Sequence, residues 1–182
     1  MTPLDFRVPV RAGFAYTELS RAPAFSLSMG AEADVARITS NLAFTLVGDI
    51  EANARPDLPE KDPRSSFGSL GFGGGLFYCG ESSVGFGIES TVSFSFDSQD
   101  LVGAGFGTRI YVVPFYVRFA KALNQHGDTF SAWVRSAFSV WVSARMDFTS
   151  DGSGATLAFG ASLDFVRIFL MPYTNALVKV LR

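Results

Sequence analysis

Residues 84–97 read VGFGIESTVSFSFD, and their alternation decides the fold class. Val84, Phe86, Ile88, Val92, Phe94 and Phe96 fall on one parity, with Gly85, Gly87, Glu89, Thr91, Ser93, Ser95 and Asp97 on the other. Side chains of a β-strand point alternately to opposite faces, so this period of two describes a strand with one apolar and one polar face.

The same pattern recurs outward from this stretch, giving eight segments in all. The first sets Phe6, Val8, Val10, Ala12, Phe14 and Tyr16 against Arg7, Pro9, Arg11, Gly13, Ala15 and Thr17. The second sets Phe25, Leu27, Met29, Ala31, Ala33 and Val35 against Ser26, Ser28, Gly30, Glu32, Asp34 and Ala36. In the third, Leu42, Phe44, Leu46, Gly48, Ile50 and Ala52 oppose Ala43, Thr45, Val47, Asp49, Glu51 and Asn53. The fourth places Leu70, Phe72, Gly74, Leu76 and Tyr78 opposite Ser69, Gly71, Gly73, Gly75 and Phe77.

After the fifth, a sixth segment is read over Thr108 to Lys121, with Tyr111, Val113, Phe115, Val117 and Phe119 outward. Ile110, Val112, Tyr116 and Arg118 take its other face, and Pro114 inside it predicts a bulge because proline donates no ladder bond. The seventh sets Phe130, Ala132, Val134, Phe138, Val140, Val142, Met146 and Phe148 against Trp133, Arg135, Ser139, Trp141, Ser143 and Arg145. Asp151-Gly152-Ser153-Gly154 is a hairpin signal. The eighth then opposes Leu157, Phe159, Ala161, Leu163 and Phe165 to Ala158, Gly160, Ser162 and Asp164. The whole chain, 1–182, reads as a single domain: a barrel over about 5–169 and a less regular C-terminal tail, 170–182.

Period two does not say which face looks outward. Apolar residues make up 48% of the chain, yet they never form the ~18 to 20 unbroken residues of a transmembrane helix. They are spread instead over continuous, Phe-rich faces, which suit the apolar outer band of a membrane barrel. Strands of ~9 to 11 tilted residues cross a bilayer, and a closed barrel satisfies every backbone group there. The fold expected is an all-β, eight-stranded antiparallel up-and-down transmembrane β-barrel.

The polar faces then line the lumen. They carry Arg7, Arg11, Arg118, Arg135 and Arg145 against Glu32, Asp34, Asp49, Glu51, Glu89 and Asp164. An eight-stranded interior is filled by side chains, and charges buried there must be paired, which guanidinium and carboxylate groups do with two parallel bonds. Gly71, Gly73, Gly75, Gly85 and Gly87 leave space for long arginines from the opposite wall. Trp133 and Trp141 read either as interfacial belt residues or, by parity, as lumen fillers. With both termini on the periplasmic side, the loops at Arg55 to Ser66 and Ser98 to Gly105 face outside.

The pattern resembles the small eight-stranded bacterial outer-membrane barrels of the OmpA and OmpX type, over most of the chain. That resemblance implies location in the outer membrane of a Gram-negative bacterium, with the lipid bilayer and the barrel-assembly machinery as partners. Gly160, Leu163 and Phe165 look like the assembly signal that this machinery reads in the last strand, although the chain ends Val180-Leu181-Arg182 where a terminal aromatic is common. The N-terminus, MTPLDFRVPV, shows no signal peptide, so Met1 is read as standing before a mature sequence.

The function expected is non-enzymatic: a structural or surface-interaction role, with loop 55–66 a possible surface ligand site, or a narrow solute pore with a charge-paired lumen. Two alternatives stand beside it. One is a soluble lipocalin-like barrel holding a small hydrophobic ligand. The other is a lipid-modifying outer-membrane enzyme, which resembles this scaffold but uses a histidine with a serine near the outer rim, whereas the single histidine, His126, falls in a turn on the opposite side. No catalytic residue, metal site or cofactor is expected. A formal charge of −2 without a basic cluster argues against nucleic acid, and Cys79 alone forms no disulfide framework.

Overall fold

The computed structural model describes residues 6–18, 22–54, 66–79, 84–96, 101–116, 137–149 and 152–170. Among these the chain runs β1 (Phe6–Arg7 and Pro9–Thr17), β2 (Ala22–Arg37), β3 (Leu42–Ala54), β4 (Ser66–Cys79), β5 (Gly85–Phe96), β6 (Leu101–Val113), β7 (Phe138–Thr149) and β8 (Gly152–Asp164), then a π-helix, Val166–Leu170. Each strand pairs antiparallel with its sequence neighbours, and β1 pairs with β8 from Pro9↔Asp164 to Thr17↔Thr156. The sheet is thus a closed eight-stranded barrel without a free edge.

The apolar parity faces out. Phe159, Phe14, Ile50 and Leu46 are among the exposed large side chains, Phe159 at 62%, while Arg7, Arg11, Glu32 and Glu89 are buried inside. A soluble barrel with an apolar, ligand-holding interior is overturned by this arrangement, because the lumen is the charged side and the hydrocarbon-like side is the exterior.

Local chemistry explains the breaks. β1 is interrupted at Val8, next to Pro9, which has no N–H for the ladder. The Val8 amide instead donates to Asp164 Oδ1 at 3.1 Å, and its carbonyl accepts from Phe165 N at 2.8 Å. In β2 a bulge between Asp34 and Ala36 adds one residue, so Val35 and Ala36 both face out and Ala36 is not on the polar face.

The sixth strand corrects the sequence reading. It begins at Leu101, inside the stretch read as a loop at Ser98 to Gly105, and ends at Val113. Pro114 and Phe115 form a turn at its end, so no bulge is needed. Within the strand the parity is also inverted, with Phe106 and Ile110 facing out and Tyr111 and Val113 buried in the lumen, while beyond its end Phe115 is exposed and Tyr116 buried, as the sequence reads. Ser66 belongs to β4 and not to the preceding loop, and Phe165 follows β8 and does not end it.

Candidate functional site: the charged lumen

In an up-and-down barrel of eight strands, each strand faces the one four places on. Three such opposite pairs are joined by side chains. Arg11 on β1 lies 3.9 Å from Glu89 on β5, Tyr111 on β6 donates to Glu32 on β2 at 3.4 Å, and Arg145 on β7 donates to Glu51 on β3 at 3.1 Å.

At mid-height Arg11 also pairs closely with Glu32 and lies 3.4 Å from Asp49. Arg109 meets the other oxygen of Asp49 at 2.5 Å and Glu89 at 3.5 Å, with its guanidinium 5.7 Å from the Trp141 ring. Two guanidiniums thus serve three carboxylates in one layer, and paired contacts of this kind are what make buried charges tolerable.

Toward the loop end, Arg145 reaches Glu51 at 3.1 Å, Asp147 at 2.8 Å and Ser69 Oγ at 3.1 Å. Glu51 accepts further bonds from Ser26 and Asn53, and Asp147 accepts from Thr156 at 2.8 Å.

Toward the termini the filling turns aromatic. Arg7 meets Glu32 at 3.2 Å and Asp34 at 3.8 Å, and its guanidinium lies over Phe77 at 4.1 Å and Tyr111 at 5.5 Å. Phe77 packs on Tyr111 and Tyr116. Arg167 of the π-helix turns back into this mouth, 1% exposed, to pair with Asp164 at 3.2 Å and stack on Tyr116 at 4.4 Å.

Of the residues read from sequence as lumen charges, Arg7, Arg11, Glu32, Asp34, Asp49, Glu51, Glu89, Arg145 and Asp164 all point inward: the first five and Glu89 meet one another, Arg145 meets Glu51, and Asp164 meets Arg167. Arg118, Arg135, Trp133, His126 and the loop at 55–65 lie outside the described residues. Trp141 is a lumen filler, its Nε1 donating to Ala161 O at 3.2 Å. The five glycines read as room for arginines do not serve that end: a Cβ on Gly85 would meet the Phe77 ring at 2.6 Å and one on Gly87 the Tyr111 ring at 2.1 Å, those on Gly73 and Gly75 would strike the backbone oxygens of Ser90 and Ile88, and one on Gly71 would touch Thr91, Val92 and Asp49. Gly160 and Leu163 lie in β8, beside the seam with β1.

Arg109, Asp147 and Arg167 were missed. The signal for Arg109 was the alternation through Gly105, Gly107 and Arg109 against Ala104, Phe106, Thr108 and Ile110, which the inverted sixth segment obscured. Asp147 continues the polar parity of β7 one step beyond Arg145. Arg167 sits past the last strand, where alternation gives no guide.

The sequence matches no protein-family model and no curated protein. Solved structures match in shape. Neisserial surface protein A (NspA) is similar with a TM-score of 0.51 and 18% identity, over 90% of this chain and 99% of its own. Ail, the attachment invasion locus protein of Yersinia pestis, solved with the heparin analogue sucrose octasulfate, gives 0.49 and 9% over 91% and 100%. The outer membrane enzyme PagL gives 0.48 and 16% over 85% and 98%. The likeness to NspA is one of fold, and the fold is that of the small eight-stranded outer-membrane barrels.

Proposed function

We propose that this chain is an integral outer-membrane barrel with a sealed lumen, non-enzymatic, acting as a structural protein that presents its loop-end surface to partners outside the cell. The observation that carries this reading is the set of bonds across the lumen between opposite walls, Arg11 to Glu89, Tyr111 to Glu32 and Arg145 to Glu51. A solute crossing the barrel would have to separate charge pairs that no water shell replaces, and that costs several kcal/mol per ion.

The remaining space supports the same reading. A loop-side cavity of about 40 Å³ and a terminus-side one of about 20 Å³ hold only a few waters each. Asp49 and Arg109 line the first and Arg11 and Glu32 the second, so the ion-paired layer stands between them. The exterior supports the location: Phe, Leu, Ile and Val side chains cover the wall, as a hydrocarbon solvent requires.

Planar-bilayer recording of the refolded protein tests the seal. No stepwise current above the bare membrane is expected, and regular single-channel steps would replace the sealed reading with a narrow pore. Extraction from outer-membrane fractions only with detergent, and a band that migrates differently before and after boiling, are the expected signs of the membrane barrel.

A further inference from the structure

The seam between β1 and β8 is incomplete at its terminus-side end. Its ladder runs from Thr17↔Thr156 to Pro9↔Asp164 and stops there, at a residue with no N–H to carry it on. Beyond the stop, among the described residues, Phe6–Arg7 pairs with Ala33 and Glu32 of β2 and has no β8 residue opposite. A ladder end of this kind is where local opening costs least.

The chain after β8 crosses this end instead of extending the strand. Asp164 Oδ1 accepts the Val8 amide, 156 residues away, at 3.1 Å and the Val166 amide at 3.0 Å, while its Oδ2 pairs with Arg167 at 3.2 Å. Phe165 N donates to Val8 O at 2.8 Å. Bonds through the Asp164 side chain thus replace the next rung of the ladder, and Arg167 holds that carboxylate in place. A single π-helical turn is rare and recurs at functional positions. This one, Val166–Leu170, lies against Phe6–Arg7 and β8. Arg167 points in, buried over the Tyr116 ring at 4.4 Å, whereas Phe165 and Phe169 are exposed toward lipid with their ring centroids 4.5 Å apart. The turn therefore grips the rim of the wall from both sides.

We propose that Val166–Leu170 is a strap that locks the β1–β8 seam from the terminus side once the barrel has closed. Its partners come from β1, β8 and the end of β6, so its contacts are complete only in the closed wall. Interactions that form after the folding transition state slow unfolding and leave the folding rate unchanged, which makes the strap a kinetic lock. It does not rest on the sealed-lumen reading, since a conducting barrel needs the same closed seam.

The test uses the refolded barrel in detergent, with folding and unfolding rates followed by the shift between folded and unfolded electrophoretic bands. Arg167→Met keeps most of the stem and removes the charge; it should fold at the wild-type rate and unfold several-fold faster. Arg167→Lys, which keeps the charge and loses the planar group over Tyr116, should fall between the two. Asp164→Asn can still accept the Val8 amide but has no charge for Arg167, so it should match Arg167→Met, and the double variant should unfold no faster than either single one. Amide exchange in the folded Arg167→Met barrel should rise several-fold at Val8 and Phe165 and stay unchanged at Gly13 and Gly160 in mid-seam. If Asp164→Asn gives no folded band, the two Arg167 variants and the exchange pattern decide alone. Unfolding as slow as wild type, a loss that appears as slower folding, additive effects in the double variant, or exchange that rises evenly along the seam would each overturn the strap. Single-channel currents from a barrel with these responses intact would overturn the sealed lumen and leave the strap standing.

Discussion

Arg11 and Glu89 stand half a turn apart around the barrel wall, on β1 and β5, yet their charged atoms approach to 3.9 Å across the lumen. Arg11 is 2% exposed and meets Glu32 and Asp49 as well, so one side chain ties three other strands to its own. Such a contact exists only when the barrel is closed, which makes it a reporter of closure as well as a seal.

Replacing Arg11 leaves Asp49 and Glu89 to Arg109 alone and Glu32 to Arg7 alone. Arg11→Ala is expected to lower stability by about 3 to 5 kcal/mol, the cost of stranding buried charge. Adding Glu89→Gln to it should recover part of that loss, since one stranded carboxylate is then neutral. Urea unfolding in lipid vesicles measures both, and strictly additive losses would show that the two residues are not coupled.

The corrected parity of β6 makes a prediction of its own. Phe106 and Ile110 face lipid, Phe106 near the middle of the strand, and Tyr111 faces the lumen. Phe106→Arg should therefore cost about 2 to 4 kcal/mol. A spin label on Ile110→Cys should be reached by oxygen dissolved in the bilayer, whereas one on Tyr111→Cys should not; the reverse order would restore the parity read from sequence.

The seam between β1 and β8 depends on two facing glycines, Gly13 and Gly160. A Cβ on Gly13 would lie 2.2 Å from Phe159 O, and one on Gly160 would lie 2.1 Å from Ala12 O. Both neighbours are backbone and cannot swing aside. Gly160→Val is expected to reduce the folded, heat-modifiable band sharply, while Ala161→Val, one residue along on the outer parity, should leave it near wild type.

At the terminus-side mouth the Arg7 guanidinium lies 4.1 Å above the Phe77 ring. Phe77→Leu keeps an apolar side chain but removes the π face, and a desolvated cation–π contact contributes about 2 kcal/mol. Equilibrium unfolding should register a loss of this order beyond that of the same change at exposed Phe72, whose ring has lipid for a neighbour.

Much of this barrel follows from the sequence. Side chains alternate along a strand with a period of two, so a run such as Leu42 to Asn53 declares both of its faces once one is apolar. Alternation alone puts nine of the lumen charges, Arg7 through Asp164, on the polar faces. It failed where both parities are apolar: Arg109-Ile-Tyr-Val-Val-Pro-Phe-Tyr116 offers no polar face to count from. There the register with β5, Glu89↔Arg109 and Ile88↔Ile110, settled the direction.

What the sequence could not decide is which charge meets which. Partners such as Arg145 and Glu51, 94 residues apart along the chain, are brought together by the curvature of the closed wall, and alternation along one strand carries no information about that. The path of the chain after β8 was equally hidden. Arg167 turns inward because Asp164 and the Tyr116 ring wait there, and both partners are set by the tertiary fold. The chain alone determined a polar lumen inside an apolar wall; closure of the sheet determined that the lumen is filled by bonds between opposite strands.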